Sequence, residues 1–338
     1  MVFLKYISLG WTGLKISVLG LGFWQAGSRL WGWKHRDVTG YEVVREIVAT
    51  SIMEGINFYD TAEIYGGGLS EKFLGKAIRE LGIRDQVVVV SKIAGFRYTY
   101  HNMLKAVKGI SERLGFKPDI ILHHWPPPFY VSICRVINNL EKLVDRGYVE
   151  YYGLSNYANK LLVKALECTR KHEPVLDQLH YNLGYRVIEN NTKKILEENK
   201  IALIAWSPLA KGALAGLTKP LTTAQKTDKI FLNVAKDQKL QETLEQLSRK
   251  YNTTKSAIAL AWLISKNAIP IPGTRKPKRI HEYTQATKIK LEKQDINKLD
   301  NISSKYTSIY GTKYSSLKLI RLVPGTLQHL SIKITKGI

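Results

Sequence analysis

Short apolar runs rich in β-branched residues alternate along the chain with longer segments in which apolar positions recur at helical spacing. The short runs predict eight strands, at residues 18–23, 56–60, 87–92, 119–124, 149–155, 175–181, 201–206 and 268–272. The longer segments predict helices at residues 41–54, 70–81, 101–114, 131–146, 159–171, 191–199, 239–266 (as two helices) and 277–286. Eight consecutive strand–helix units favour an α/β fold, a closed parallel (β/α)8 barrel, with an open doubly wound sheet as the alternative.

Two segments flank the eight repeated units. Residues 6–17 hold two short runs around Gly10 and Gly13, which predict a β-hairpin that plugs the N-terminal end of the barrel. Residues 291–306 predict one further helix, and no acidic residue occurs from Lys305 to Ile338. We therefore assign residues 1–304 to the barrel domain and residues 305–338 to a basic C-terminal tail, a candidate wall of the pocket at the barrel mouth.

Length and composition are those of a folded, soluble protein. A chain of 338 residues suits one large α/β barrel with additions, and 44% of the residues are hydrophobic. No apolar run approaches the roughly 20 residues of a membrane helix. The N-terminus has an early Lys5 and lacks the apolar stretch of a signal peptide, so we expect a cytoplasmic protein without a membrane span.

The chain is strongly basic, with 51 lysine and arginine residues against 28 acidic residues and a formal net charge of +23. This charge attracts polyanions, and both a nucleic acid and a phosphorylated cofactor fit it. The basic residues are dispersed along the predicted helices, and no nucleic-acid-binding signature interrupts them. We therefore interpret the charge as a solvated basic surface and expect no nucleic-acid partner.

The two cysteines, Cys134 and Cys168, fall in separate predicted helices. Sequence alone does not bring their sulfur atoms together, and thiols are the usual state of cysteine inside the cell. We expect both cysteines to be reduced and at least half buried.

Reactive side chains collect where the predicted strands end, which is where a barrel of this kind places its chemistry. The second strand ends in Asp60, the third in Lys92 and the fourth in His123 and His124, while Tyr65 lies in the loop after the second strand. Singly, each has a structural explanation, such as a turn cap, a solvated charge or a half-buried ring. Together they suggest chemistry, because an aspartate offsets the burial of a lysine, and a lysine lowers the pKa of a nearby phenol from about 10.

Six motifs occur in the order and at the spacing of one enzyme family: NFYDTAEIYGGGLSE, VVVVSKI, LHHWP, GLSN, AWSPLAKG and IPGTRKPKRIHE. Residues 6–283 resemble the aldo-keto reductases, and the opening LGWTGLKISVLGLGFWQ resembles their N-terminal hairpin and first strand. Trp206 stands where many members have tyrosine, so the chain looks most like the branch of the potassium-channel β subunits and the bacterial and archaeal general reductases. The resemblance implies a TIM barrel that reduces carbonyl groups with a nicotinamide cofactor.

The resemblance also implies roles for the four reactive residue types. Tyr65 would be the general acid that protonates the carbonyl oxygen as hydride arrives, and Lys92 would lower its pKa. Asp60 would keep Lys92 charged and oriented, and His124 would hydrogen-bond the substrate carbonyl. His123 would face the other side of its strand as a structural residue, because alternate side chains of a strand point in opposite directions.

The implied cofactor site lies at the ends of the next strands. The nicotinamide carboxamide would be held by Ser155, Asn156 and Gln178, and Trp206 would stack on the nicotinamide ring. The loop after the predicted strand 201–206 would fold over the pyrophosphate of the cofactor through Ser207, Leu209 and Gly212.

A turn before the eighth helix is the candidate site for the cofactor's 2′-phosphate. Gly273 and Thr274 form this turn, and Lys276 and Arg279 follow closely, so helix N–H groups and two cations are available and NADPH is favoured over NADH. Gly273 stands where many members carry lysine, so the 2′-phosphate would be bound by Lys276 and Arg279 alone. Tyr283 replaces an asparagine that contacts adenine in the family, so the adenine would stack on its ring or lose a hydrogen bond.

The substrate pocket is the least defined part of the site. Pocket walls in this family come from loops and from the C-terminal segment, and here Trp24, Phe96 and Trp125 are the candidate wall residues. Other aromatic residues of the same loops are Trp31, Trp33 and Phe129, and together they suggest hydrophobic aldehydes or ketones as substrates. The basic residues of these loops would instead suit an anionic substrate or be simple surface charges: Arg29, Lys34, His35 and Arg97.

Two other classes of function stay open beside an NADPH-dependent carbonyl reductase. A regulatory subunit could use the cofactor as a sensor, but the channel β subunits depart from the family at the position of His124, which this chain retains. An unrelated metal hydrolase would use His123 and His124, although neighbouring strand residues face opposite sides and no metal is expected. The chain carries no readable interface, so a homo-oligomer also stays open.

Overall fold

A computed structural model describes residues 4–27, 39–310 and 320–328 of the chain. The pocket candidates Arg29, Trp31, Trp33, Lys34 and His35 lie outside the described residues. The described chain begins with an antiparallel hairpin of β1 (Tyr6–Ser8) and β2 (Lys15–Ser17), which pair in register from Tyr6 with Ser17.

Eight parallel strands follow in chain order around a barrel, each hydrogen-bonded to the next. They are β3 (Leu21–Gly22), β4 (Phe58–Asp60), β5 (Val88–Ile93), β6 (Ile120–His123), β7 (Tyr151–Ser155), β8 (Leu176–His180), β9 (Ala202–Trp206) and β10 (Ala268–Pro270). The first and last strands meet through Gly20 N–H to Pro270 O at 3.0 Å and Gly22 N–H to Pro272 O at 3.1 Å. The predicted barrel is confirmed, and the open doubly wound sheet is wrong.

The helices cover the outside of the barrel. They are α1 (Tyr41–Met53), α2 (Leu69–Glu80), α3 (Tyr100–Leu114), α4 (Ile133–Asp145), α5 (Lys160–Glu167), α6 (Thr192–Glu198), α7 (Thr223–Lys226), α8 (Lys229–Lys236), α9 (Gln238–Lys250), α10 (Lys255–Ser265), α11 (Arg279–Lys288) and α12 (Lys293–Ile302). None of these described helices has the length and apolar character to cross a membrane.

Two helices escaped the sequence analysis and one ends earlier than predicted. The caps Thr222 and Asp228 signal the short helices α7 and α8, and α8 also carries buried apolar residues at helical spacing, such as Ile230 and Val234. Helix α5 ends at Glu167 instead of residue 171 because the buried carboxylate of Glu141 accepts the backbone N–H groups of the three residues 170–172. Those hydrogen bonds turn the chain out of the helix.

The core has two layers, one inside the barrel and one between the barrel and its helices. Alternate strand residues point into the barrel, where Phe58, Val90 and Leu122 pack together. Leu9 and Ile16 of the hairpin, both fully buried, close the same cluster from the N-terminal end. The predicted hairpin plug is therefore confirmed.

Cys134 and Cys168 form a disulfide, with their Cα atoms 4.9 Å apart. The expectation of two reduced thiols is wrong. Cys134 lies on α4 and Cys168 directly follows α5, and consecutive units of the barrel place these two helices side by side. The sequence spacing of 34 residues does not reveal this contact, because it arises from the packing of two helices on the sheet.

Removing this cross-link should destabilise the protein without affecting its chemistry. A disulfide that closes a loop of this length contributes roughly 3–4 kcal/mol by restricting the unfolded chain. We expect Cys134→Ala/Cys168→Ala, or the native protein in reductant, to lose about this much free energy of unfolding in denaturant titrations. Reductant should not change the double variant further. An unchanged unfolding midpoint in the reduced native protein would contradict this prediction.

Candidate active site

A buried lysine forms the centre of the site at the C-terminal end of the strands. Lys92 on β5 is fully buried, and its ammonium lies 2.7 Å from the carboxylate of Asp60 at the end of β4. The same Nζ donates to the carbonyl oxygen of Thr61 at 2.8 Å and to the phenol oxygen of Tyr65 at 3.1 Å. These three acceptors use all three hydrogens of the ammonium group. Its orientation is therefore determined from three sides.

A glycine turn places Tyr65 over this lysine. Gly66, Gly67 and Gly68 all have positive φ, between 55° and 94°, a conformation that side chains disfavour. A Cβ at Gly66 would also lie 2.6 Å from the backbone of Gly27, and one at Gly68 would lie 2.6 Å from the side chain of Arg113. The sequence pattern alone does not reveal this role of the glycines. They fold the chain sharply between Tyr65 and the start of α2.

Burial and the carboxylate of Asp60 raise the pKa of Tyr65 well above its ordinary value. The expected lowering of the Tyr65 pKa by Lys92 is wrong, because burial disfavours a phenolate and the negative charge of Asp60 raises the pKa further. Burial also lowers the pKa of Lys92, while Asp60 raises it again. The phenol therefore holds its proton at neutral pH, and an ammonium group is hydrogen-bonded to its oxygen.

His123 and His124 face different surroundings, as the alternation of strand side chains predicts. The ring of His124 lies edge-to-face with that of Tyr65, with centroids 5.7 Å apart. Its buried Nδ1 has no hydrogen-bond partner among the described residues, and burial followed by the charge of Lys92 lowers its pKa well below the usual range. His123 instead lies on the other face of β6, with Nδ1 2.8 Å from the hydroxyl of Tyr157.

This arrangement does not favour a metal hydrolase. The two imidazoles do not share a site, and the described part of the chain holds no cluster of three histidine, cysteine or acidic residues placed to bind a metal ion.

The predicted carboxamide residues come together beside this cluster. Gln178 on β8 donates to Asp60 at 2.7 Å, which links the strand of the predicted cofactor site to the buried ion pair. Asn156 donates to the backbone oxygen of His124 and to Ser155 Oγ, both at 2.9 Å. Its Oδ1 accepts a hydrogen bond from the indole N–H of Trp206 at 3.0 Å. One hydrogen-bonded network therefore holds the ends of β7, β8 and β9.

The loop after β9 is curled and held by helices that the sequence analysis missed. Ser207 has a positive φ of 53°, Lys211 of 54° and Gly212 of 100°. Lys211 forms an ion pair with Asp228 at 2.5 Å, and its backbone oxygen accepts from the side chain of Gln225 at 2.8 Å. Leu209 in this loop is buried. The loop therefore has a defined shape at the barrel mouth.

The turn before α11 exposes the predicted phosphate-binding cations. Thr274 Oγ1 accepts from the backbone N–H of Lys276 at 3.0 Å, and the side chains of Lys276 and Arg279 are exposed. A Cβ at Gly273 would overlap the side-chain amide of Gln25, which occupies the space of the missing side chain. Tyr283 is only 1% exposed, so the predicted stacking of adenine on its ring is wrong.

Comparison with known proteins identifies the family. A sequence model of the aldo/keto reductase family matches residues 18–304. The chain belongs to this family. The resemblance noted in the six motifs is therefore confirmed, and the protein is an oxidoreductase.

Relatives and solved structures agree with this assignment. An uncharacterized oxidoreductase of Mycobacterium tuberculosis is 31% identical over 317 residues, which cover 90% of this chain and 95% of the relative. A crystal structure of the thermostable aldo-keto reductase Tm1743 with the inhibitor epalrestat is 30% identical, with a TM-score of 0.75 over 88% of this chain and 99% of that one. An aldo-keto reductase from Klebsiella pneumoniae in complex with NADPH, 24% identical, shares the fold with a TM-score of 0.72 over 90% of this chain and 96% of its own.

The candidate pocket of this aldo-keto reductase has one well-formed apolar wall. Phe96 and Trp125 are buried with ring centroids 6.2 Å apart, and Ile64 and Ile320 pack against them. Gln328 accepts from the indole N–H of Trp125 at 3.2 Å and donates to two backbone oxygens of residues 320–323. The described segment 320–328 therefore lies against this wall.

Other predicted pocket residues lie apart from that wall. Trp24 is half buried on the turn after β3. Phe129 is 65% exposed and packs on Tyr130, so it adds nothing to the buried cluster. Arg97 is paired through Nε with the carboxylate of Glu63 at 2.7 Å, which offsets its positive charge. Glu63 also accepts the backbone N–H of Ala94 at 2.7 Å, a role that its position in the first motif does not reveal.

Proposed function

We propose that this aldo-keto reductase reduces hydrophobic aldehydes or ketones to alcohols with NADPH. The proposal is carried by the ammonium of Lys92, which lies between the Asp60 carboxylate and the protonated phenol of Tyr65. When bound, NADPH supplies the hydride that adds to the carbonyl carbon. Tyr65 donates its proton to the carbonyl oxygen, and the ammonium of Lys92 stabilises the phenolate that remains.

His124 and Asp60 support this proton transfer without giving up protons themselves. The neutral imidazole of His124 lies beside Tyr65 with an unpartnered nitrogen, and it hydrogen-bonds the substrate carbonyl to orient it. Asp60 keeps Lys92 charged in a fully buried position, where an unpaired ammonium would lose its proton. Water from the barrel mouth then returns a proton to Tyr65.

The residues at the ends of the later strands fit a nicotinamide dinucleotide. Ser155, Asn156 and Gln178 lie together with Trp206, which supplies an aromatic surface for a flat ring. The curled loop of Ser207, Leu209 and Gly212 covers the pyrophosphate. Gly273, Thr274 and the exposed Lys276 and Arg279 bind the 2′-phosphate, since cations at a helix N-terminus favour a phosphate dianion.

The direct test is the loss of NADPH absorbance with a panel of aromatic aldehydes, aliphatic ketones and dicarbonyls. We expect turnover, with hydrophobic carbonyl compounds preferred because Phe96 and Trp125 form an apolar wall. Tight NADPH binding without any turnover would contradict the reductase and support a cofactor-sensing subunit instead.

The preference for NADPH should depend on the two exposed cations. We expect Lys276→Ala/Arg279→Ala to weaken NADPH binding by roughly 10- to 100-fold, because two charge-assisted hydrogen bonds to the 2′-phosphate are lost. NADH, which lacks this phosphate, should bind the variant and the wild type equally. Fluorescence titration measures both affinities, and Lys278→Ala, which removes a neighbouring exposed cation outside the proposed phosphate site, is the control. Equal losses for the two cofactors would contradict the phosphate assignment.

A further inference from the structure

A column of aromatic rings begins at Trp206, at the C-terminal end of β9. His180 stacks on Trp206 with centroids 4.0 Å apart and planes at 20°. The other face of His180 stacks on Tyr185 at 4.5 Å and 15°, and Tyr185 stacks on Tyr310 at 5.5 Å and 29°. Tyr306 extends the column beyond Tyr310, at 6.3 Å and 16°. The imidazole of His180 is therefore enclosed between an indole and a phenol.

Strand register and one asparagine build this column. His180 ends β8 and pairs directly with Trp206 at the end of β9, so the two rings leave neighbouring strands side by side. The chain then turns back at Asn182, whose backbone forms two hydrogen bonds with that of Tyr185. The buried Asn182 side chain donates to Ser207 O at 2.9 Å and lies 3.2 Å from His180 Nε2. The turn brings Tyr185 onto the free face of the imidazole.

The column limits how the indole of Trp206 can move. Its N–H donates to Asn156 at 3.0 Å, which holds the edge of the ring, and His180 covers one face. The far end of the column is anchored, since Tyr306 donates to Asp237 at 2.9 Å and Asn233 donates to the hydroxyl of Tyr310 at 3.2 Å. A ring held at its edge and at one face has a determined tilt.

His180 is also uncharged in this position. Burial lowers its pKa to about 3, and the more distant charges of Asp228 and Lys211 act in opposite directions. The imidazole therefore contributes ring contact and no positive charge next to the indole. Stacked aromatic pairs are stabilising in addition to the apolar area that they bury.

We propose that His180 is a positioning residue that sets the tilt of Trp206 and thereby the affinity for the nicotinamide half of the cofactor. This inference rests on the proposed function, in which the nicotinamide stacks on Trp206. The adenine half binds at the turn before α11 and is independent of this column. Loss of the imidazole should therefore weaken the binding of the nicotinamide half and leave the binding of the adenine half unchanged.

The test compares two ligands in three variants. NADPH and 2′-phospho-ADP-ribose share the adenine, the 2′-phosphate and the pyrophosphate, but only NADPH has the nicotinamide ring. In His180→Gln, which removes the ring, we expect NADPH to bind about tenfold more weakly, or 1.4 kcal/mol, and the analogue to bind as in the wild type. His180→Phe keeps a flat ring and should restore most of the affinity. His172→Gln, the same change at a surface histidine beyond the opposite end of β8, should alter neither.

Each other outcome overturns the inference in a recognisable way. Unchanged NADPH affinity in His180→Gln would show that the column does not position Trp206. Equally weakened binding of both ligands would show general damage to the fold. Failure of His180→Phe to restore NADPH affinity would show that ring contact with Trp206 is not the cause of the effect. If the wild type itself binds NADPH no more tightly than the analogue, nicotinamide does not stack on Trp206. That result would refute the nicotinamide site of the proposed function and not only the role of His180.

Discussion

Replacing Tyr65 with phenylalanine is expected to slow carbonyl reduction by roughly 10²- to 10⁴-fold, the range that a positioned general acid contributes. The change removes only the hydroxyl group that Lys92 Nζ contacts at 3.1 Å and leaves the ring beside His124. NADPH binding should change less than twofold, because none of the proposed cofactor contacts is lost. Steady-state kinetics and fluorescence titration measure the two effects separately.

A matched control for this variant lies on β4, the strand that precedes the loop of Tyr65. Tyr59 is fully buried on the face of β4 opposite to Asp60, and its hydroxyl lies 2.7 Å from Ser51 Oγ. Tyr59→Phe therefore removes a buried phenol hydroxyl outside the site, and we expect a loss of about 1 kcal/mol of stability with activity retained. Reduction by Tyr65→Phe at the wild-type rate would refute Tyr65 as the proton donor.

Replacing Lys92 with methionine is expected to abolish activity and to lower the free energy of unfolding by about 3–5 kcal/mol at neutral pH. Methionine fills similar space, but it leaves the carboxylate of Asp60, 2% exposed, without its ammonium partner. The double variant Asp60→Asn/Lys92→Met removes the uncompensated charge and should regain much of this stability while staying inactive. Lys76→Met, which breaks an exposed ion pair with Glu80, should cost less than about 1 kcal/mol.

The stability deficit of Lys92→Met should also depend on pH in a defined direction. Burial raises the pKa of Asp60, and Lys92 is the main group that lowers it again. In the variant the folded state therefore binds a proton that the unfolded state has released, so its stability falls as the pH rises above the unfolded carboxyl value of about 3.9. Denaturant titrations at pH 5 and pH 8 should show the smaller deficit at pH 5. A deficit independent of pH, or a double variant no more stable than the single one, would contradict this account.

Local pattern was enough to predict the barrel and the side chains that meet at its mouth. Strand and helix periods differ, so eight alternating units could be counted along the chain. The alternation of side chains separated His124 from His123, and the strand ends indicated Asp60 and Lys92. The motifs then led to the family, because they record residue types at spacings set by the strands and the loops that follow them.

Tertiary packing alone decided the electrostatics and the contacts between distant residues. The direction of the pKa shift of Tyr65 depends on burial and on the position of Asp60, and neither can be calculated from the order of residues. The disulfide joins helices of consecutive units, Tyr283 is covered by its surroundings, and Trp206 is backed by His180 and, further out, by Tyr310. Such contacts join side chains far apart in sequence, and their distances follow from the closure of the barrel rather than from any local period.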